Sequence, residues 1–215
     1  MYNEEEQIEA IKDWWRANGN SILIALLVAV LASVGWRWWN NHNTNISLGA
    51  SSAYSEMTQL MDEQLNNPSA AGRAAVQTQA EQLIADYGKT GYASFAYLTL
   101  AQVAVQEEEY EQAVEQLEKL LAAKPDKEVE AIARIRLARL QLQLNNPDAA
   151  LAALDKKLAQ AWQSRVLELR GDAYQQQASA EQAREAYTQA LQAATAQDSA
   201  RNRLQMKIDN LAPTS

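Results

Sequence analysis

The feature that most constrains this chain is a run of twenty consecutive uncharged residues, 17–36, close to its N-terminus. Between Ile22 and Val34 every residue except Ser33 is apolar. A helix needs about 20 such residues to cross roughly 30 Å of hydrocarbon, and it satisfies its own backbone polar groups there. The run therefore predicts one transmembrane helix rather than a helix buried in a protein core.

Tryptophan residues flank this run on both sides, as they do at the two interfaces of a membrane. Trp14 and Trp15 precede it, and Trp36, Trp38 and Trp39 follow it. Twenty-one positions separate Trp15 from Trp36, and at about 1.5 Å per residue the two groups would lie a bilayer apart. The pattern is typical of two aromatic belts.

The flanks also bear on processing and orientation. Ala32 and Ser33 are small enough for a signal-peptidase site, but the acidic leader and the tryptophan-rich exit favour an uncleaved anchor. Lys12 and Arg16 precede the span, whereas Arg37 alone follows closely. Counting these basic residues predicts a cytoplasmic N-terminus.

Four segments follow from this reading. We predict a cytoplasmic amphipathic tail (1–20) that breaks at the Asn- and Gly-rich residues 18–21, a transmembrane signal-anchor helix (21–39), a polar linker without periodicity (40–47), and a soluble domain (48–215) outside the cytoplasm.

Composition narrows the soluble part to an all-α domain without obvious chemistry. The chain carries 19 basic and 27 acidic side chains and no cysteine, which disfavours nucleic-acid binding, thiol catalysis and cysteine metal sites. The single histidine, His42, lies in the polar linker, and the acidic run Glu107–Glu109 is interpreted as a solvated turn rather than a metal site. We therefore predict no enzyme activity, no catalytic or metal-binding residue, and no cofactor.

An internal repeat organises the second half of the chain. Ala101, Ala138 and Gly171 align at spacings of 37 and 33 residues, which is close to the period of tetratricopeptide helix-turn-helix repeats. The middle copy is degenerate, with Arg134 and Gln141 where bulky apolar residues are expected. With two further helices before it (from Leu48 to 65, and 69–87) and a terminal cap at 198–211, the pattern predicts a tetratricopeptide-like α-solenoid, and an irregular helical bundle is the alternative.

The first helix of each repeat is expected to line a groove for an unfolded or extended segment of another protein. Alternatively, residues 48–87 cover this surface and make it core. The predicted protein-binding residues are Phe95, Leu98, Val105, Ile132, Ile135 and Leu142. The predicted polar lining is Gln102, Gln106, Arg139, Gln143, Arg165, Glu168, Asp172, Gln175 and Gln176.

Several features together carry a resemblance over essentially the whole chain: the approach Asp13–Gly19, the single span, the segments Tyr92–Ala96 and Ala133–Leu140, and the degenerate repeats. In these features the chain resembles the bacterial YfgM family. The resemblance implies a type II protein of the bacterial inner membrane whose periplasmic domain is ancillary to the SecYEG translocon. It also implies association with the membrane-anchored prolyl isomerase PpiD and transfer of emerging secretory proteins to periplasmic chaperones. The family supplies no catalytic motif.

Two functions of different class remain. In the first, a membrane-tethered module holds a groove beside the translocon exit, where tethering raises its local concentration near emerging chains. In the second, the protein is a membrane-anchored regulator of a stress-signalling pathway whose groove binds one folded partner. The first predicts weak binding to many peptides, and the second predicts tight binding to one protein.

Overall fold

The computed structural model describes residues 4–195 and 200–211, with the side chains of residues 4–6 and 22 left aside. Every regular element among these residues is helical, which confirms the all-α prediction. Two compact units emerge, Met1–Gly49 and Ala50–Ser215. The helices are α1 (Glu4–Asn66), α2 (Ala70–Tyr87), α3 (Gly91–Gln106), α4 (Tyr110–Ala122), α5 (Lys127–Gln143), α6 (Pro147–Ala153), a 3₁₀ turn (Gln160–Trp162), α7 (Gln163–Gln176), α8 (Ala180–Ala193) and α9 (Ala200–Asp209).

The N-terminal unit exposes its apolar side chains. Between Leu23 and Val34 the large apolar residues are 49 to 63% exposed, and within the described residues one helical segment, Leu23–Asn66, is long and apolar enough to span a membrane. So much exposed apolar surface is costly in water and favourable in lipid. The prediction of one N-terminal candidate membrane helix is confirmed.

Two predicted irregular segments of this unit, 18–21 and 40–47, are helical instead. The reason is local hydrogen bonding to the preceding turn. The Asn18 amide donates to the Trp14 carbonyl at 3.0 Å, and the Thr44 hydroxyl donates to the Asn40 carbonyl at 2.9 Å. Such bonds let a polar residue stay within a helix, and adding residues to an existing helix costs far less than starting one.

The second unit consists of helical hairpins, and several of their ends are marked in the sequence. Helix α1 ends at Asn66, before Pro68, as predicted. Helix α2 begins after Ser69, whose hydroxyl accepts a 3.0 Å hydrogen bond from the Gly72 backbone N–H. This is an N-cap, which satisfies one of the free donors at the start of a helix.

Three hairpins share one turn geometry. Glu108, Asn145 and Ala178 adopt positive φ values of 61°, 57° and 57°, and each turn closes with a backbone hydrogen bond of 2.8 to 2.9 Å to the end of the preceding helix. These positions have the same 37- and 33-residue spacing as the repeat. The acidic run Glu107–Glu109 is thus the α3–α4 turn, as predicted, and Glu107 pairs there with Arg73 at 3.0 Å.

Three apolar clusters hold the hairpins together. The first joins the end of α1 with α2 and one side of α3 through Met57, Leu83 and Leu100. The second and largest runs from α3 to α7 around Leu117 and Leu154. The third joins α7, α8 and α9. Because each hairpin buries its faces against its neighbours, the unit is stabilised by stacking, as in other repeat arrays.

The middle hairpin departs from the others because its second helix, α6, has only seven residues. Arginines reach the carbonyl groups at its end. Arg134 donates to the Ala153 carbonyl at 3.1 Å and to Glu130 at 2.9 Å, and Arg170 donates to the Leu154 carbonyl at 2.9 Å. Arg134 therefore occupies an apolar repeat position because the helix that an apolar residue would pack on has ended.

Helix α9 serves as the terminal cap that was predicted for 198–211. Leu204 is fully buried and Leu211 nearly so, against α8. The predicted starting residue, Asp198, lies outside the described residues. Arg201 donates to the carbonyl groups of Leu191 and Ala194 at 3.0 and 3.2 Å, so it also caps the end of α8.

Candidate protein-binding groove

The first helices of the three hairpins, α3, α5 and α7, carry the predicted groove residues in matching rows. The repeat spacing places one residue of each helix in each row. The rows are Phe95–Ile132–Arg165, Leu98–Ile135–Glu168, Gln102–Arg139–Asp172, Val105–Leu142–Gln175 and Gln106–Gln143–Gln176.

One row is buried, and of its three members only Glu168 borders a pocket, contrary to the prediction for Leu98 and Ile135. Leu98, Ile135 and Glu168 are only 8, 5 and 3% exposed. Residues 48–87 do not explain the burial of Leu98, which belongs to the α3–α7 cluster. They do border other predicted groove residues of α3, namely Phe95, Gln102 and Gln106. This row is buried because it belongs to the layer in which successive hairpins stack, with Glu168 paired to α9.

The other four predicted contact residues differ in how far they are exposed to solvent. Phe95 and Val105 are 41 and 40% exposed, although the Phe95 ring lies 5.5 Å from the ring of Tyr54 of α1. Ile132 is half-buried, and Leu142 is buried. Val105 is therefore the apolar prediction that best fits an accessible binding surface.

Two pockets open along these rows and meet at Arg139. We call the first, of about 340 Å³, the apolar pocket, and the second, of about 550 Å³, the charged pocket. The apolar pocket is lined by Ala101, Gln102, Val105, Gln106, Leu117, Arg136, Arg139 and Leu140. The charged pocket is lined by Arg139, Leu142, Gln143, Arg165, Glu168, Leu169, Asp172, Gln175 and Gln176.

The polar lining of both pockets was predicted well. Each of the nine residues predicted as polar lining borders at least one of them. Gln176 also donates to the Leu142 carbonyl at 3.0 Å, which links α7 to α5 across the groove floor. Both pocket volumes lie in the range of about 300–1,000 Å³ that is typical of ligand sites. Together the two pockets form the groove discussed below.

The floor of the charged pocket is a network of ion pairs between α7 and α9. Glu168 accepts from Arg203 at 2.7 Å and from Arg165 at 2.9 Å, and Lys207 lies 3.1 Å from it. Burial by itself raises the pKa of Glu168, but the hydrogen bonds from Arg203 and Lys207 and the positive charges outweigh it and lower the pKa to about 2. Glu168 is thus a structural anion and is not available as a proton donor near neutral pH.

Asp172 and Tyr187 extend this network. Lys207 pairs with Asp172 at 2.5 Å, and the Tyr187 hydroxyl donates to Asp172 at 2.7 Å. Burial, and then the bond to Asp172, raise the pKa of Tyr187, so its hydroxyl keeps its proton. Both carboxylates of the pocket are therefore neutralised from within the protein.

Arg139 is different, because within the part of the chain that the structure describes no hydrogen bond or ion pair engages its guanidinium. Burial lowers the pKa of Arg139, the charge of Arg165 lowers it further, and Glu168 partly offsets this. An arginine stays charged at neutral pH despite such a decrease. The groove therefore holds a cation without a bound anion at the point where its two pockets meet.

Sequence reasoning missed two groups of groove residues. Arg136 and Leu140 line the apolar pocket although the repeat alignment did not select them. Arg203 and Lys207 lie off the apolar stripe of the predicted cap helix, and the sequence did not indicate which carboxylate they pair with. A usable signal was present, because Glu168 stands in a row whose other members are Leu98 and Ile135, and a buried carboxylate needs a cation.

Comparison with known proteins agrees with this architecture. Residues 12–213 match the tetratricopeptide repeat-like domain family. A protein of Escherichia coli (strain K12) named ancillary SecYEG translocon subunit is 33% identical over 210 residues, which are 98% of this chain and 97% of that protein. A protein of the same name from Haemophilus influenzae is 29% identical over 208 residues, 97% of each chain.

A solved structure supports the fold alone. It is MamA, from residue 41 to its end, of Desulfovibrio magneticus RS-1, with a TM-score of 0.52 and 18% identity, covering 66% of this chain and 75% of that one. Its likeness is to the helical repeats. Because the matched domain family and the near full-length relatives agree, the chain belongs to the YfgM family of tetratricopeptide repeat-like proteins.

Proposed function

We propose that this protein is a non-enzymatic ancillary subunit of the SecYEG translocon in the bacterial inner membrane. The observation that carries the proposal is the near full-length similarity to proteins of that name. In the proposed topology, α1 is a signal anchor with a cytoplasmic N-terminus, and the helical-repeat domain lies in the periplasm. Two basic residues before the span against one after it support this orientation.

The groove is proposed to contact secretory proteins as they emerge and to help transfer them to periplasmic chaperones, with PpiD as a membrane-anchored partner. An open groove with an apolar pocket suits extended chains, whose apolar side chains are not yet buried. Anchoring keeps the groove at high local concentration near the exit, so weak contacts are sufficient. Fast release, which a transfer role needs, follows from weak contacts.

Site-specific photo-crosslinking in cells tests this proposal. The crosslinking residue replaces Val105 in the apolar pocket, and the control replaces Glu118, an exposed residue of α4 outside both pockets. Val105 is preferable to Leu98, which is buried. We expect adducts with emerging secretory chains and translocon components at Val105 only, and we expect the chain adducts to disappear when protein synthesis is stopped.

Two results would contradict the proposal. Equal adducts at Val105 and Glu118 would mean that the groove has no special role. A single folded partner at Val105 that persists without protein synthesis would favour the regulator instead.

A further inference from the structure

The charge of the groove is opposite to the charge of the protein. The whole chain has a formal net charge of −8. Among the described side chains that line the two pockets or pair within them, five are cations and two are carboxylates. The cations are Arg136, Arg139, Arg165, Arg203 and Lys207, and the carboxylates are Glu168 and Asp172. A positive groove in an acidic protein favours a negatively charged occupant.

Three of these five cations are engaged within the protein, and among the described residues Arg139 and Arg136 are the exceptions. Arg165, Arg203 and Lys207 hold Glu168 and Asp172 at distances of 2.5 to 3.1 Å. In the described part of the chain neither Arg139 nor Arg136 has such a partner. Arg139 borders both pockets, whereas Arg136 borders the apolar pocket alone, so Arg139 is the cation at their junction. An arginine presents a planar fork of donors that matches a carboxylate.

The surface next to Arg139 is apolar. Val105, Leu140 and Leu117 line the adjoining pocket of about 340 Å³, which is large enough for a bulky side chain. One segment of extended chain that enters both pockets would thus present an apolar side chain to one and a carboxylate to the other. Successive side chains of an extended segment are only about 3.3 Å apart along the chain, so a short motif is sufficient.

We propose that the groove selects extended polypeptide segments in which an acidic residue lies close in sequence to a large apolar residue, with Arg139 binding the carboxylate and the apolar pocket binding its neighbour. This inference rests on the proposed function, because it names the sequence class of the chains that the groove receives. It makes the groove selective among unfolded segments. Segments that are rich in lysine are disfavoured by repulsion from Arg136 and Arg139.

Fluorescence anisotropy with labelled peptides tests the proposal on the full-length protein in phosphatidylcholine nanodiscs. Three peptides of equal length share a Gly-, Ser- and Asn-rich background and carry Leu with Glu, Leu with Lys, or Ser with Glu. We expect the Leu–Glu peptide to bind about five- to tenfold more tightly than either of the others, and its affinity to fall with added salt.

Three variants assign the effect to Arg139. Arg139→Gln is expected to remove the preference for Glu over Lys, and Arg139→Glu is expected to reverse it. Lys119→Gln removes one positive charge from the exposed surface of α4 and should leave the preference unchanged. A reversed preference cannot arise from partial unfolding, so the test does not depend on unaltered stability.

The outcomes separate this inference from the proposed function. If peptides bind and require Leu but show no preference for Glu, the inference is wrong and the proposed function stands. An equal loss of preference in Lys119→Gln would also overturn it, because overall charge would then be the cause. If the wild-type protein binds none of the three peptides, both proposals fail.

Discussion

The α3–α4 and α7–α8 hairpins have the same backbone plan but are held together by different chemistry. At three matching positions the first hairpin has apolar side chains, and the last has a carboxylate, a glycine and a hydroxyl-bearing ring. The paired residues are Leu98 with Glu168, Ala101 with Gly171, and Leu117 with Tyr187.

The difference follows from what each hairpin packs against. Leu98 belongs to an apolar cluster that continues into the next hairpin, so burial of apolar area is sufficient. Glu168 faces the cap α9, whose Arg203 and Lys207 can also remain in contact with water. A terminal cap needs a polar outer side, and ion pairs attach such a helix without a second apolar face. The same pairs neutralise the charged end of the groove.

The largest expected effect is at Glu168. Replacement by Ala removes the anion that Arg165, Arg203 and Lys207 share. We expect a loss of about 3 to 4 kcal/mol in the free energy of unfolding. The matched change in the N-terminal part is Glu107→Ala, which breaks the partly exposed pair with Arg73 and should cost less than about 1 kcal/mol. Urea unfolding of both variants measures the difference, and equal losses would contradict the comparison.

Acid should weaken the α7–α9 region before the α3–α4 hairpin. The pKa of Glu168 is about 2 in the folded protein, below its ordinary value of 4.5. The stabilisation is therefore complete above about pH 5 and is lost as the pH falls towards 2, amounting to about 3 kcal/mol.

Urea unfolding against pH, for the wild type and Glu168→Gln, isolates this contribution from those of other carboxylates. The difference in stability between the two proteins should shrink as the pH falls from 5 to 2. Hydrogen exchange should show that α9 opens first. Two parallel pH curves would show that Glu168 is not the group responsible.

Gly171 is a further difference between the hairpins, because the other two repeats have alanine, Ala101 and Ala138, at the corresponding position. A Cβ at Gly171 would overlap the ring of Tyr187, and that ring is fully buried and fixed by its hydroxyl bonds. We expect Gly171→Ala to cost about 1 to 3 kcal/mol. Gly91→Ala is the control, because a Cβ there would meet open space.

A second change tests whether the ring is the cause. Combining Gly171→Ala with Tyr187→Leu recreates the residues found at positions 101 and 117, and it should recover part of the stability lost in Gly171→Ala. Thermal unfolding of the single and double variants measures this. A double variant less stable than both single variants would contradict the explanation.

The smallest expected effect on stability is in the turns, whose backbone geometry is nearly the same in all three hairpins. Ala178 and Glu108 adopt positive φ with a Cβ, a conformation that costs about 1 to 2 kcal/mol relative to glycine. Ala178→Gly and Glu108→Gly should each stabilise the protein by about 0.5 kcal/mol, since glycine also makes the unfolded chain more flexible. Asn145→Gly should gain less, because asparagine tolerates this geometry. A loss of stability in Ala178→Gly would contradict the turn assignment.

Much of the fold could be predicted from the sequence because its signals are local or periodic. The apolar run at 22–34, the stop at Pro68 and the repeat of Ala101, Ala138 and Gly171 each predicted an element that the structure contains. The helical state of 18–21 and 40–47 could not be predicted in this way. Hydrogen bonds to the preceding turn and the helix on either side outweigh the breaking tendency of Asn and Gly there.

The sequence predicted most polar residues that line the groove, but it did not predict which apolar residues are exposed there. The repeat register placed Gln102, Arg139 and Asp172 along it, and the structure agrees. The same register placed Leu98 there, although it is buried. Periodicity shows which face of a helix a residue occupies but not how far the next hairpin overlaps that face. The role of Lys207 depends on its contact with Asp172, which lies 35 residues earlier in the chain. A local sequence pattern does not contain such a contact.

If the two pockets form one groove, a bound segment lies in it in one orientation, with its apolar side chain in the apolar pocket and its carboxylate in the charged pocket. Because the natural chain has no cysteine, single-cysteine variants Val105→Cys, Gln175→Cys and, as a control, Glu118→Cys report on it directly. A Leu–Glu peptide carries an activated disulfide beside either its apolar or its acidic residue, and the rate of disulfide formation is measured.

We expect the probe beside the apolar residue to react fastest with the variant at position 105. The probe beside the acidic residue should react fastest with the variant at position 175, and neither should react above background with the variant at position 118. Equal rates at all three positions, or rates that do not depend on which end carries the probe, would contradict this expectation.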